Sequence, residues 1–219
     1  MKTLYSWNDQ ALNDAFDQTI VSIHLRRKQD ENKTYIFCGC GPQVGATAVS
    51  INLAIAMARS GWKTVLIDAD MRKAQSVKRL AEGARNGDKH NLAGYLSGGC
   101  EIADMISDTN YVNLSYIEGG NPRGSAIQLL CSSRLRTLLE SLKNDYDYII
   151  IDAPAPDEVA DTCILAKQAD GVVLVSQWNV TTMNQIQRAQ RKLDDSGTSV
   201  IGTVVNRMDP HDYLISRNS

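Results

Sequence analysis

Five continuous apolar runs, separated by segments with helical spacing, constrain the fold of this 219-residue sequence more than any other feature. A run without alternation is typical of a strand that is buried on both faces, as in parallel sheets. Residues 111–117 alternate between apolar and polar side chains and predict a sixth strand. The five apolar runs are residues 34–38, 63–68, 146–152, 171–176 and 198–206.

Helices are predicted between these strands from apolar spacing and capping residues. Ser132 is the expected cap of one helix, and Gly61 closes another. We therefore predict an α/β fold with a mostly parallel central sheet and helices on both faces. It forms one domain over residues 1–219, with an N-terminal helix in 1–30 packed on it and a short tail at 209–219. The predicted helices are residues 12–25, 46–60, 74–82, 132–144, 158–168 and 181–194, with short helical pieces at 91–96 and 101–106.

Composition narrows the classes of function. A net charge of −2 gives no basic face for nucleic acid, and we expect no nucleic-acid partner. No segment approaches the ~20 apolar residues of a membrane span, so we expect a cytoplasmic protein that reaches the membrane only through a partner. The five scattered cysteines are predicted to be reduced, buried thiols, since Cys38 and Cys40 have no second pair at zinc spacing.

A glycine-rich turn lies between the first strand and the next helix, which is where a phosphate loop belongs. The working pattern is G-x-x-x-x-G-K-[S/T], but Cys40 takes the first glycine position and Ala46 the lysine position. Gly45 and Thr47 match the pattern. No residue from 34 through 58 is charged, so the cation that reaches the phosphates is missing. A plain glycine turn without a ligand is the alternative for this loop alone.

Two later strands end in aspartate. Asp68 and Asp70 follow one buried strand, and Asp152 follows another, at the sheet edge where ligands of parallel sheets bind. Carboxylates at such positions are costly unless they hold a metal, a water or a cation. The alternatives are a helix-capping aspartate paired with Arg72, and a turn aspartate at position 152.

These motifs together resemble the MinD/ParA class of P-loop ATPases, and within it the bacterial tyrosine kinases of capsule and exopolysaccharide synthesis. The stretch from Val65 to Arg72 is similar to that group's additional Walker motif, apolar-Asp-x-Asp-x-Arg. The resemblance spans roughly residues 12–208. Further similar stretches are residues 91–98, 120–122 with 129–133, 169–175 and 202–207.

The resemblance implies ATP or ADP and Mg²⁺ as cofactors. Asp68 and Asp70 would be the catalytic residues, either of them a general base, and Thr47, Asp68 and Asp152 would serve the metal. It also implies a separate membrane-embedded polysaccharide co-polymerase or activator subunit as partner, with self-association kept open. The implied nucleotide-binding residues are Gly41, Pro42, Gln43, Val44, Gly45, Ala46, Thr47, Ala48, Arg72, Asn206 and Arg207. A strand-end cap is the alternative for Asn206.

The sequence departs from the family pattern in three places, which affect phosphate binding, subunit assembly and the phosphate-accepting tyrosines. The phosphate-loop lysine is Ala46. The helix motif E-x-x-R-x-x-R, which joins subunits into a ring, aligns with Asp14, Asp17 and Ile20, so both arginines are absent. The carboxyl end lacks a tyrosine cluster and has Tyr213 alone.

Three hypotheses follow for function. The preferred one is a degenerate, pseudokinase-like member that regulates polysaccharide synthesis with weak or no ATP turnover. The second is an active tyrosine kinase or ATPase whose missing cation comes from Arg72, Arg123 or a partner subunit. The third is a positioning ATPase of the MinD/ParA kind, which works as a nucleotide-gated dimer.

Overall fold

A computed structural model describes residues 10–26, 33–71, 90–122, 124–209 and 212. The strands are β1 (Thr34–Gly39), β2 (Thr64–Asp68), β3 (Ile106–Asp108), β4 (Leu114–Ile117), β5 (Tyr148–Ala153), β6 (Gly171–Gln177) and β7 (Val200–Asn206). The helices are α1 (Gln10–Arg26), α2 (Ala46–Arg59), α3 (Leu92–Leu96), α4 (Ile102–Met105), α5 (Ala126–Leu130), α6 (Ser133–Asp145), α7 (Asp161–Ala166) and α8 (Met183–Asp195).

The strands of the described residues form one sheet in the order β3-β4-β2-β5-β1-β6-β7. Every neighbouring pair is parallel except β3 and β4. This confirms the predicted fold class. Because the central strands run in one direction, the carboxyl ends of β1, β2, β5 and β6 meet at one edge of the sheet.

The sheet is covered on both faces, which explains its continuous apolar runs. Ile149 and Ile151 of β5 point into the core shared with α3 and α6–α8, whereas Ile150 points into the core shared with α1 and α2. Phe16 and Ile23 anchor α1 in this second core. Successive side chains of a strand point to opposite faces, so both sets must be apolar.

Several local expectations need correction. The strand predicted at 111–117 is only Leu114–Ile117, and β3 and α5 were not predicted at all. Ser132 is at the N-cap position of α6, but its side chain accepts no capping bond. All five thiols are free as predicted, yet Cys131 is exposed and Cys163 only partly buried. The helix predicted at 74–82 lies outside the described residues.

No helix in the described part of the chain is long and apolar enough to cross a membrane.

Candidate functional site

The loop between β1 and α2 is a tight turn with two left-handed residues. The Cys40 amide donates to the Val175 carbonyl at 2.8 Å, which attaches the start of the loop to β6. Gln43 has a φ of 57° and Gly45 a φ of 91°. The first conformation is uncommon for glutamine, and the second suits glycine. Gly45 is the N-cap residue of α2, and it has no side chain with which to cap the helix. The first-turn amides of α2, which have no partners within the helix, can therefore receive an anion.

The side chains of the loop add no charge to this anion site. Cys40, at the first glycine position, is buried, and this burial together with the charge of Asp157 raises its pKa to about 11. Its thiol is therefore neutral at pH 7. Pro42, Gln43 and Ala48 are exposed, Gly41 and Val44 are buried, and Gly45, Ala46 and Thr47 are partly buried.

Asn206, at the end of β7, contacts the phosphate loop directly. Its side-chain Nδ2 donates to the Val44 carbonyl at 2.9 Å. A Cβ atom on Gly45 would lie 2.3 Å from this Nδ2, so glycine is required there for space as well as for backbone conformation. The next residue, Arg207, donates through its guanidinium to Gln177 at 2.8 Å. Contact with an adenine ring stays a prediction for both residues.

Asp152 is the least satisfied polar group of the site. It lies beside Asp68 in the register of β5 and β2 and is only 3% exposed. Burial, followed by the charge of Asp68, raises its pKa to about 7. The hydroxyl groups of Thr47 and Ser50 oppose this shift. Among the described residues, however, neither carboxylate oxygen has a hydrogen-bond partner with full geometry.

Asp68 and Asp70 emerge together at the carboxyl end of β2 and are both buried. The Asp70 amide donates to the Asp68 carboxylate at 3.0 Å, and the Ala69 amide donates to the Asp152 carbonyl at 2.8 Å. The two aspartate strands are thus joined where they end. Arg72, the cation of the alternative ion pair, lies outside the described residues, as do Arg123 and Tyr213.

This arrangement fits a magnesium ion. The carboxylate of Asp152 is buried, has no hydrogen bond of good geometry among the described residues, and lies near the hydroxyl of Thr47. Within the described ranges no three His, Cys, Asp or Glu side chains converge as a metal cluster. That is the expected situation for Mg²⁺, which keeps several waters and takes further oxygens from the phosphates of a nucleotide.

Two close contacts of the site were not anticipated from the sequence. The side-chain Nε2 of Gln185, on α8, lies 3.5 Å from the position of a Cβ on Gly41. A Cβ on Gly119, in the loop after β4, would lie 2.7 Å from the Asp68 carbonyl oxygen. The pattern Thr182-x-x-Gln185 is a readable helix-start signal. This pattern does not predict which loop lies next to the start of the helix.

Comparisons with known proteins give a consistent result. A family model described as an AAA domain matches residues 41–199. Tyrosine-protein kinase CpsD of Streptococcus agalactiae is 33% identical over 190 residues, covering 86% of this chain and 81% of that protein. Tyrosine-protein kinase wzc of Salmonella typhimurium is 30% identical over 185 residues, covering 84% of this chain but 25% of that one.

Solved structures agree with the sequence matches. The kinase domain of Escherichia coli tyrosine kinase ETK superposes with a TM-score of 0.79 at 26% identity, covering 90% of this chain and 77% of that one. The cell-division ATPase MinD of Pyrococcus furiosus, at 21% identity, shares the fold with a TM-score of 0.65, covering 85% of this chain and 80% of that one. Cobyrinic acid a,c-diamide synthase of Mycobacterium smegmatis, solved with ADP and magnesium, shares it at 19% identity with a TM-score of 0.67, covering 85% and 81%.

Proposed function

The chain belongs to the bacterial tyrosine-kinase branch of the MinD/ParA class of P-loop ATPases, and we propose that it is a degenerate member of this branch. In this proposal it regulates capsule or exopolysaccharide synthesis, binds Mg²⁺ with ADP or ATP weakly, and has weak or no ATP turnover. The observation that supports it is an uncharged phosphate loop beside buried Asp68, Asp70 and Asp152.

The missing lysine affects transfer more than binding. Losing one charged hydrogen bond weakens binding by about 1.5–3 kcal/mol, which is about one to two decades in affinity. Helix amides and the Thr47 hydroxyl still contribute to binding. Phosphoryl transfer depends on cations that stabilise charge in the transition state, so the rate falls further than the affinity.

The residues present would divide the work as follows. The amides of the loop and of the first turn of α2 bind the phosphates, and Asn206 holds the loop in shape through the Val44 carbonyl. Thr47 and Asp152 would hold Mg²⁺, which supplies charge neutralisation when it is bound. Asp68 lies where a carboxylate could accept a proton. Without the lysine, however, the three aspartates would support nucleotide binding rather than rapid phosphoryl transfer.

Restoring the lysine tests this proposal. We expect Ala46→Lys to tighten Mg-ADP binding by about tenfold or more and to raise ATP turnover above that of the wild type. Calorimetry gives the dissociation constants, and release of labelled phosphate gives the turnover. Val112→Lys adds the same charge at an exposed position remote from the loop and should change neither quantity. Rapid turnover by the wild type would contradict the proposal and favour a substitute cation.

We also propose a partner surface, called here the rim patch and made of Trp178, Val180, Met183 and Val205. All four side chains are exposed, from 37% at Trp178 to 67% at Met183. The Trp178 amide donates to the Asn206 carbonyl at 2.9 Å, which places Trp178 beside the end of β7, where Val205 lies. Val180 and Met183 follow Trp178 two and five residues later along the chain. Apolar groups clustered on a surface typically mark a protein contact.

The proposed occupant of the rim patch is a cytoplasmic segment of a membrane-embedded polysaccharide co-polymerase. In the relative wzc the matched region is a quarter of a longer chain, so there the kinase domain is attached to further sequence. In this proposal the chain meets such a segment on a separate subunit, which brings it to the inner face of the membrane. Ring assembly through α1 is not expected, because Ile20 is buried in the core and Asp17 replaces an arginine.

A further inference from the structure

The orientation of the Gln185 side chain is fixed by a capping box at the start of α8. The Thr182 amide donates to Gln185 Oε1 at 2.9 Å, and the Thr182 hydroxyl donates to the same oxygen at 3.0 Å. A backbone amide is only a donor, so the atom that faces it must be the side-chain oxygen. The Gln185 amide donates back to the Thr182 hydroxyl at 3.3 Å. Nε2 is therefore the end of the side chain that points away from the cap.

This Nε2 group faces the phosphate loop. It lies 3.5 Å from the position of a Cβ on Gly41, the second residue of the loop. Within the described part of the chain, the hydrogen bonds of Gln185 to the Thr182 cap use only Oε1 and the backbone amide. Ala189 and Leu193 are fully buried and hold α8 against the sheet. A donor with two N–H groups is thus held in place beside the loop.

A second, independent observation points to a ligand in this region. Asp152, at the other side of the loop, is 3% exposed and has two carboxylate oxygens without hydrogen-bond partners among the described residues. Such a group is costly unless a cation or water completes it. The buried carboxylate of Asp152 lies on one side of the phosphate loop and the side-chain amide of Gln185 on the other. Together with the first-turn amides of α2, they suit a phosphate ligand that carries a metal ion.

We propose that Gln185 is a phosphate-binding residue that partly replaces the missing lysine by donating a neutral hydrogen bond to a nucleotide phosphate. This inference rests on the nucleotide site of the proposed function and extends it to a helix that carries none of the phosphate-loop motif. A neutral amide orients a phosphate and improves binding. It brings no positive charge to the transition state, so it favours retained binding with little turnover.

Gln185→Glu separates the two roles of this side chain. The glutamate keeps an oxygen acceptor for the Thr182 cap, where Glu and Gln serve equally, but it removes the donor and adds a negative charge. We expect the dissociation constant for Mg-ADP to rise about tenfold to hundredfold. The thermal midpoint without nucleotide should stay unchanged. Gln187→Glu makes the same exchange on the exposed side of α8 and should alter neither value.

The measurement is made by calorimetry in the wild type and again on the Ala46→Lys background. Equal Mg-ADP binding with and without Gln185→Glu overturns the inference, while the nucleotide site of the proposed function stands. A weaker affinity accompanied by a matching loss of thermal stability also overturns it, because the role is then structural. If neither wild type nor Ala46→Lys binds Mg-ADP, the nucleotide site fails and the inference with it.

Discussion

The carboxyl group of Asp152 links the site to the stability of the folded chain. Its pKa of about 7 lies well above the ordinary value of 3.8, because the group is buried beside Asp68. Between about pH 4 and pH 7 the folded state therefore holds a proton that the unfolded chain has lost. In that window the free energy of unfolding falls as the pH rises, and above pH 7 the loss is complete.

Asp152→Asn removes this titration. At pH 8 without metal we expect the variant to exceed the wild type in free energy of unfolding by on the order of 3 kcal/mol, with little difference at pH 4. The measurement is urea denaturation across pH 4–8. Asp194→Asn, an exposed position on α8, is the matched control. A wild type whose stability does not fall between pH 5 and pH 8 would contradict the raised pKa of Asp152.

Bound magnesium should reduce the loss of stability that follows ionisation of Asp152. A cation beside Asp152 stabilises the ionised carboxylate, so Mg-ADP should restore wild-type stability at pH 8 more than it stabilises Asp152→Asn. Asp152 therefore lowers the stability of the metal-free protein above pH 7, at a position that fits a metal ion.

The helix α1 shows how one element joins the domain. Ile23 is 2% exposed and packs in the core shared with α2, whereas Val21 is 54% exposed on the opposite side. The Arg26 guanidinium also donates to the Ile201 carbonyl, which attaches the end of α1 to β7. These contacts hold α1 against α2 and β7.

Two truncations on this helix test its contribution. We expect Ile23→Ala to lower the free energy of unfolding by about 2–4 kcal/mol, because it leaves a cavity in the core. Val21→Ala, with its side chain largely in water, should change it by less than about 0.5 kcal/mol. Chemical denaturation monitored by circular dichroism gives both values. Equal effects from the two changes would mean that α1 unfolds separately from the rest of the chain.

At the scale of the whole molecule, the proposed nucleotide site and the rim patch lie on the same edge of the sheet. The rim patch begins at the end of β6, and β6 pairs with β7 up to Gln177 and Asn206. Asn206 in turn contacts the phosphate loop. A partner seated on the rim patch would therefore lie within a few residues of the proposed nucleotide site, which would give the proposed regulator a route from nucleotide to partner.

Charged substitutions in the rim patch test this arrangement. Met183→Glu should weaken binding of the detergent-solubilised co-polymerase by about tenfold or more, since a charge is placed in an apolar contact. Val112→Glu changes a side chain that is 84% exposed near the other end of the sheet and should bind normally. Biolayer interferometry with immobilised co-polymerase gives the affinities. Undiminished binding by Met183→Glu would remove the rim patch as the partner surface.

The sequence alone determined the fold class, the position of the phosphate loop and the aspartates at the ends of β2 and β5. These features are local, because burial on both faces shows in a single run of residues and the acids follow directly. The five-residue α5 and the three-residue β3 were not predicted, since such short elements carry too little periodicity to be recognised. The absence of a lysine at Ala46 was equally visible without any coordinates.

Only the tertiary structure decided what surrounds that loop. Asn206 reaches the Val44 carbonyl and Gln185 faces Gly41 because β6 lies beside β1 and β7 lies beside β6. No local sequence pattern indicates the strand order, since the order depends on which elements pack together in the folded chain. The same packing buries Asp152 next to Asp68 and leaves its oxygens without a well-formed hydrogen bond among the described residues. The missing lysine is a fact of the sequence, whereas the neutral donors that face the phosphate loop are placed there by the fold.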